Sequence, residues 1–240
     1  MVSRPDYRPS ADRDWASPDV FDRGLHQYML RVYNHMAGGL VVTGVTAALA
    51  AASGLYAAIA GTPLMWLIVF APLAIALFLG FAFARVSLGT ARAAFWAYAI
   101  LIGLSLAGIF IVYTDTSIAR VFFITAATFL GMSLWGYTTG SDLTQFGSFL
   151  MMGLIGVVLA GLINLLLGSQ GLQFALSIIS VIVFTGLTAW DTQRIKQIYL
   201  DMPSSSEAGK AAIFGALSLY LDFINIFLSL LQIFGDRREK

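Results

Sequence analysis

Cysteine is absent from this chain of 240 residues, and histidine occurs only twice. The first absence excludes disulfides, iron–sulfur clusters and thiol catalysis, and the second argues against a metal site built from histidines. Charge is also scarce, because charged residues make up 11% of the chain where soluble domains average about 25%. A net charge of +1 gives no electrostatic basis for binding nucleic acid. The composition therefore excludes an ordinary soluble domain.

Long apolar segments are what the chain has in abundance. Hydrophobic residues make up 58% of it, and the mean hydropathy is +0.81. Seven segments each approach the ~20 residues that a helix needs to cross about 30 Å of hydrocarbon, and none alternates as barrel strands do. The sequence thus predicts an all-α integral membrane protein, a bundle of seven transmembrane helices. The predicted spans are at about 34–60, 63–84, 93–113, 118–137, 146–168, 172–192 and 211–234.

Polar residues gather at the two ends of the chain. Residues 1–31 mix arginine with aspartate and contain three prolines, which predicts a flexible polar N-terminal tail. Residues 32–235 form the predicted transmembrane domain, and residues 236–240 form a basic C-terminal tail. Lys and Arg in the predicted loops favour a cytoplasmic N-terminus. Seven spans then put the C-terminus outside unless the last segment is re-entrant, and the sequence leaves both arrangements open.

Two aspartates lie within the apolar segments. Asp191 ends one apolar run and Asp222 lies inside the last run. An aspartate at the centre of a membrane helix costs roughly 2.5–3.5 kcal/mol, so such an acid is a functional hypothesis by default. One face of the last helix carries four polar residues, namely Ser218, Asp222, Asn225 and Ser229. The preceding helix carries a looser polar stripe, namely Ser177, Ser180, Thr188 and Asp191. Together the two stripes predict a polar seam between the helices, unless the hydroxyls only bond to their own helix.

Two acids that meet inside a membrane cannot both ionise cheaply, so the pair shares a proton and titrates in two steps. Loss of this proton would push the helices apart or leave an anionic site, and calcium prefers such oxygen ligands. Asp191 and Asp222 are therefore the predicted proton sensor and the predicted calcium ligands. No organic cofactor is expected. Arg85, at the end of the second predicted span, is either a competing partner for Asp191 or an interface anchor.

These residues resemble a known family. Residues 190–196 (WDTQRIK) and 217–225 (LSLYLDFIN) are similar to the end of Bax inhibitor-1 family proteins, also called the transmembrane Bax inhibitor motif family. Other family signatures are matched by residues 32–36, 136–139, 142–144 and 147–150. The resemblance covers about residues 32–235, which is nearly everything except the N-terminal tail.

The resemblance implies a seven-helix bundle whose last helix is central. It also implies a pH-sensitive calcium leak, with Asp191 and Asp222 as sensor and gate and with Arg85 near the position of a latch. Bacterial members include the YccA-like group, which binds and restrains the FtsH membrane protease, and eukaryotic members suppress cell death. The short chain with its Arg and Asp tail looks most similar to bacterial members of the YccA and YetJ kind, which implies an inner-membrane location.

Other functions stay open beside the channel. An intramembrane aspartyl protease also uses two acids on neighbouring helices, but the Gly-x-Gly-Asp element is absent before Asp222, so we expect no enzymatic activity. The main alternative is a membrane interaction protein that modulates a membrane protease or a stress response. Proton-coupled transport is a further alternative. The expected partners are the lipid bilayer, calcium ions and a membrane protease, not nucleic acid.

Overall fold

A computed structural model describes residues 18–82, 86–201 and 205–238. Within these ranges the chain is helical, with no strands, and the all-α prediction is confirmed. The described helices are α1 (Pro18–Ala52), α2 (Leu55–Ile59), α3 (Pro63–Ala82), α4 (Leu88–Leu106), α5 (Gly108–Val112), α6 (Asp115–Thr138), α7 (Thr144–Leu167), α8 (Gln170–Leu200) and α9 (Ser205–Phe234).

Six stretches of helix are long and apolar enough to cross a membrane. They are α1, α4 with α5, α6, α7, α8 and α9. The apolar part described for α3, Pro63–Ala76, is shorter than these spans. The chain is therefore a multi-pass membrane protein with six candidate spans among its described residues, and the span predicted at about 63–84 stays a prediction.

Helix α1 begins at Pro18, inside the segment predicted as a flexible tail. Proline suits the first turn of a helix, where its missing N–H would have no partner in any case. Apolar residues then recur at helical spacing and are buried, namely Leu25, Tyr28, Met29 and Val32. The ring of Tyr28 stacks on Tyr199, with centroids 4.9 Å apart. The structure corrects the predicted tail for residues 18–31, while residues 1–17 lie outside the described ranges.

The polar stretch between the last two predicted spans is also mostly helical. Helix α8 continues beyond its predicted end at residue 192 to Leu200, and α9 begins at Ser205. Tertiary contacts hold this extension, because Ile195 is buried and Lys196 Nζ donates to the carbonyl oxygen of Tyr137 at 3.1 Å. The thickness of the hydrocarbon limits the length of an apolar segment but not the length of the helix that contains it. Both helices therefore extend beyond their apolar segments.

Helix α9 lies at the centre of the bundle. It packs against α1, α4, α6 and α8, and 67% of its apolar window is buried, compared with 11% for α7. Its largest fully buried side chains are Tyr220, Ile213, Leu219, Ile226 and Leu231. This is the central position that the family resemblance implies for the last helix.

The start of α1 and the end of α9 lie at opposite ends of the bundle. The start of α1 contacts the end of α8 through Tyr28 and Tyr199. The end of α9 instead contacts the start of α8, where Gln173 Nε2 donates to Gln232 Oε1 at 2.7 Å. Since α9 is continuous, the re-entrant alternative for the last segment is wrong. We call these the α1 end and the C-terminal end of the bundle.

The residues after α9 are clasped to the start of α6. Arg120 pairs with Asp236 at 3.0 Å, and Arg238 pairs with Asp115 at 2.7 Å. The backbone N–H of Asp236 also donates to Ser117 Oγ at 2.9 Å. Exposed ion pairs contribute about 0–1 kcal/mol each to stability, so these contacts mainly fix the position of the residues after α9.

Helices α6 and α8 touch at Gly136, where a Cβ would lie only 2.7 Å from the Cα of Ala189. We expect Gly136→Ala to force the helices apart and to lower the melting temperature of the solubilised protein by roughly 3–10 °C, an overpacking cost of about 1–3 kcal/mol. The matched control is Gly131→Ala on the same helix, because a Cβ there meets nothing within 4 Å. An equal loss in both variants would contradict the close contact.

Candidate functional site

Helices α8 and α9 run antiparallel with a fixed register. Gly215 on α9 lies against α8, since a Cβ at this position would be 3.0 Å from the Cγ1 atom of Ile195. Toward the C-terminal end of the bundle, Ser177 Oγ lies 2.6 Å from Gln232 Oε1. The two contacts are separated by nearly the same number of residues on both helices. Each residue of α8 between them therefore has a counterpart at the same level on α9.

This register brings the two predicted acids to neighbouring levels. To within about one residue, Asp191 is level with Ser218 and Asp222 is level with Thr188. The acids are therefore about one helical turn apart, roughly 5 Å along the helix axis.

Asp222 is buried within the bundle, while Asp191 lies at the edge of the same contact. Asp222 is 4% exposed, and its Oδ2 atom has no hydrogen-bond partner among the described residues. Asp191 is half-buried. The two carboxylates are close enough to interact electrostatically, so they repel each other when both are charged. Burying unpaired charge is expensive, and a proton shared by the pair removes part of that cost.

Asp191 faces a cavity of about 500 Å³ that Ser218 and Arg194 also line. Arg194 follows Asp191 by three positions on α8, its charge acts on that of Asp191, and its Cζ lies 5.3 Å from the ring centroid of Trp190. Sequence reasoning missed Arg194, although a cation three positions from an acid on a helix is a recognisable signal. The predicted partner Arg85 lies outside the described residues.

Two other predicted seam residues lie at this contact and bond within their own helices. Thr188 is fully buried, and its hydroxyl donates to the carbonyl oxygen of Phe184 at 2.8 Å. Asn225 is half-buried, and its Nδ2 donates to the carbonyl oxygen of Leu221 at 2.8 Å. The alternative that the hydroxyls bond within their own helix therefore holds for the proton of Thr188.

The polar seam runs through predicted residues toward the C-terminal end and continues beyond them to Gln232. Ser180 and Ser229 are buried and lie at the same level of the α8–α9 contact. Gln232 follows Ser229 on the same face of α9. The polar face predicted from the sequence ended at Ser229 and did not include it. There the helices border a polar cavity of about 580 Å³, which Asn164, Gln173, Ser177 and Gln232 line.

A chain of three hydroxyls ties α8 to α1 and α6 beside the acids. Tyr33 OH lies 2.6 Å from Ser133 Oγ, which lies 2.9 Å from Thr192 Oγ1. Thr192 donates its proton to the carbonyl oxygen of Thr188 at 2.7 Å. Ser133 therefore donates to Thr192, and Tyr33 donates to Ser133. Because Thr192 follows Asp191 directly, this chain helps to fix the orientation of α8 at the acid pair.

The turn between α6 and α7 is bound to α8 near the acids. Gln193 Oε1 accepts from the backbone N–H of Leu143 at 2.9 Å, and Gln193 Nε2 donates to the carbonyl oxygen of Ser141 at 2.8 Å. Asp142 in this turn is exposed, and hydrogen bonds from the side chain and backbone of Thr144 lower its pKa. Asp142 therefore stays charged near neutral pH and cannot replace the buried pair as a sensor.

The acid pair offers few ligands for a metal ion. No group of three or more His, Cys, Asp or Glu side chains that could hold a metal occurs in the described part of the chain. Calcium takes about six to eight oxygen ligands, whereas the pair supplies two carboxylates. Water and neighbouring oxygens such as that of Ser218 would have to complete the shell. This donor set fits an ion in passage better than a resident ion.

An apolar bundle of spanning helices with a buried acid on its central helix defines a multi-pass helical membrane protein with an intramembrane acid pair. Residues 25–239 match the family model described as inhibitor of apoptosis-promoting Bax1. The chain belongs to this family, the Bax inhibitor-1 family, as the sequence resemblance predicted.

Similar proteins occur in several bacteria. An uncharacterized protein of Rickettsia prowazekii is 49% identical over 92% of this chain and 94% of its own length. A protein of Caulobacter vibrioides is 44% identical over 97% of both chains. The inner membrane protein YbhL of Escherichia coli is 47% identical over 90% of this chain and 94% of its own. The similarity therefore extends over the whole bundle.

The hydroxyl chain gives a prediction about stability. Tyr33→Phe removes the donor to Ser133, so we expect a loss of about 1 kcal/mol, seen as a melting temperature lower by roughly 2–4 °C. The matched control is Tyr137→Phe, which lines the same crevice between α1 and α6 and whose hydroxyl makes no hydrogen bond among the described residues. Indistinguishable melting temperatures for the two variants would contradict a stabilising chain.

Proposed function

We propose that the protein is a pH-sensitive cation leak channel, with calcium as its principal ion, gated by Asp191 and Asp222. The observation that supports this best is the buried acid pair at one end of a polar seam that follows the α8–α9 contact to a second polar cavity. Intramembrane acids commonly mark ion and proton paths. The two acids act as proton and cation sites in this proposal, which includes no enzymatic reaction.

The gate works through the proton that the acids share. With the proton in place, the pair carries a single negative charge and α8 stays against α9. Without it, two negative charges about one turn apart repel each other strongly, because the surroundings screen poorly. The contact then opens, or a divalent cation enters and neutralises both charges. The proposal therefore couples deprotonation to passage of calcium.

Two arginines modulate this balance. Arg194 stays beside Asp191 however α9 moves, because both residues belong to α8. It compensates part of the charge on Asp191, and a cation that enters the cavity must compete with it. Arg85 at the end of the second predicted span is proposed as the latch that competes for Asp191 when the acids separate.

We further propose seven crossings in a bacterial inner membrane, with α3 as the additional span and with a cytoplasmic N-terminus. Helix α3 packs along α4, and the distribution of Lys and Arg among the loops favours this orientation. The similar protein YbhL is named as an inner membrane protein. In this orientation the acid pair lies toward the cytoplasm and the polar cavity beside Gln232 lies toward the outside.

Partner binding is a second candidate function. Helix α7 packs chiefly against α8 and only 11% of its apolar window is buried, so it presents a long apolar surface within the membrane. A membrane protease or another helical partner could pack there. This role is compatible with a leak and makes no demand on the acid pair.

Calcium flux into proteoliposomes tests the channel. We expect the wild type to conduct more as the pH rises between about 5 and 8, because deprotonation of the pair opens the α8–α9 contact in this proposal. Asp222→Asn should remove the pH dependence, since an amide does not ionise and cannot take part in proton sharing. Asp191→Asn should alter it in the same way, because the pair titrates as a unit.

The matched control for this assay is Asp142→Asn, which removes an exposed acid that is already charged over this pH range. Its pH profile should follow the wild type. A pH-dependent flux that survives both Asp191→Asn and Asp222→Asn would contradict the sensor. Flux no greater than that of empty liposomes at every pH would contradict the channel.

A further inference from the structure

Side-chain amides close the polar seam at the C-terminal end of the bundle. Asn164 Nδ2 on α7 donates to Gln173 Oε1 at 2.9 Å, and Gln173 Nε2 on α8 donates to Gln232 Oε1 at 2.7 Å. Ser177 Oγ lies 2.6 Å from the same Gln232 oxygen. A single oxygen on α9 thus has two partners on α8, and the network joins three helices.

The network stands apart from the acid pair. Gln232 follows Asp222 by ten residues on α9, so it lies about 15 Å farther along the helix. Ser180 and Ser229 lie between the two positions and are buried. The polar seam therefore has one closure at the acids and another at the amides, with buried hydroxyls between them.

We propose that Gln232 forms the outer constriction of the conduction path and limits the rate at which cations pass there. This inference rests on the proposed channel function. Gln232 and Gln173 are exposed at the end of the seam, so an ion that leaves the α8–α9 contact there passes beside their bridge. To open this point, the Gln232 oxygen must exchange its partners on α8 for water or for the ion.

The chemistry of the constriction sets what it can distinguish. Amide and hydroxyl oxygens are ligands for hard cations, but they carry no net charge, and Arg237 also lines the cavity. The wild-type constriction therefore contributes little preference for divalent over monovalent ions. A carboxylate at position 232 would retain an oxygen acceptor for Gln173 and Ser177 while adding the charge that calcium favours.

Flux measurements on two leucine variants test the constriction. Gln232→Leu removes the bridge, so we expect a calcium leak up to about tenfold above the wild type at the pH where the acid pair is deprotonated and the wild type conducts most, the effect of losing two hydrogen bonds. Gln170→Leu is the matched control, because Gln170 lines the same cavity and makes no side-chain hydrogen bond among the described residues. Equal leak in the two variants would overturn the proposal.

A charge substitution tests whether the residue lies in the path. Gln232→Glu should raise the ratio of calcium to potassium flux by at least about threefold, since a carboxylate favours the divalent ion. An unchanged ratio would overturn the assignment of Gln232 to the conduction path.

Thiol labelling gives a measurement that is independent of flux. The chain has no cysteine, so Ser180→Cys provides a single thiol just inside the constriction. A charged, membrane-impermeant reagent added outside should label it at least about tenfold faster when Gln232→Leu is also present, because the bridge is open. Equal labelling rates would overturn the proposal. Absence of wild-type flux would contradict the channel itself, and labelling would still show whether Gln232 seals this end.

Discussion

The burial of Asp222 on the central helix is the constraint on which the rest of the bundle depends. A carboxylate in hydrocarbon is expensive, and its cost falls only if the protein keeps it from lipid and supplies a proton, a cation or water. Helix α9 meets the first requirement by lying between α1, α4, α6 and α8. Asp191 meets the second, because two neighbouring acids can share one proton. The proposed sensitivity to pH follows from this arrangement, since each way of relieving the charge depends on protonation or on an ion.

The same constraint indicates which boundary would open in the proposed channel. Helix α8 is held closely on its far side, by Gly136 of α6 against Ala189 and by the hydroxyl chain that ends at Thr192. Its contact with α9 is different, with a cavity of about 500 Å³ beside Asp191 and polar side chains along the seam. A change of charge at the acids therefore acts beside this cavity. The amide bridge at Gln232 closes the opposite end of this seam.

Sequence reasoning predicted the spans and the acid pair because each leaves a local signal. The thickness of the hydrocarbon sets the length of an apolar segment, which can be read from a single sequence, and an aspartate within such a segment is easily recognised. The extensions of α1 and α8 were not predicted, because they depend on contacts such as Tyr28 against Tyr199. The chain from Tyr33 through Ser133 to Thr192 joins three distant segments, so no local pattern reveals it. Gln232 continued the polar spacing on α9, but its partners on α8 appear only once the register is known.

The most direct test of the α8–α9 path is block by a charged thiol reagent at its midpoint. Asn225→Cys places the only thiol of the chain between Asp222 and Ser229, and Ile182→Cys, which is 63% exposed on the lipid-facing side of α8, serves as the control. If ions follow this seam, a positively charged reagent should reduce calcium flux severalfold in Asn225→Cys and leave Ile182→Cys unchanged. Persistent full flux through a completely labelled Asn225→Cys protein would contradict the path between α8 and α9.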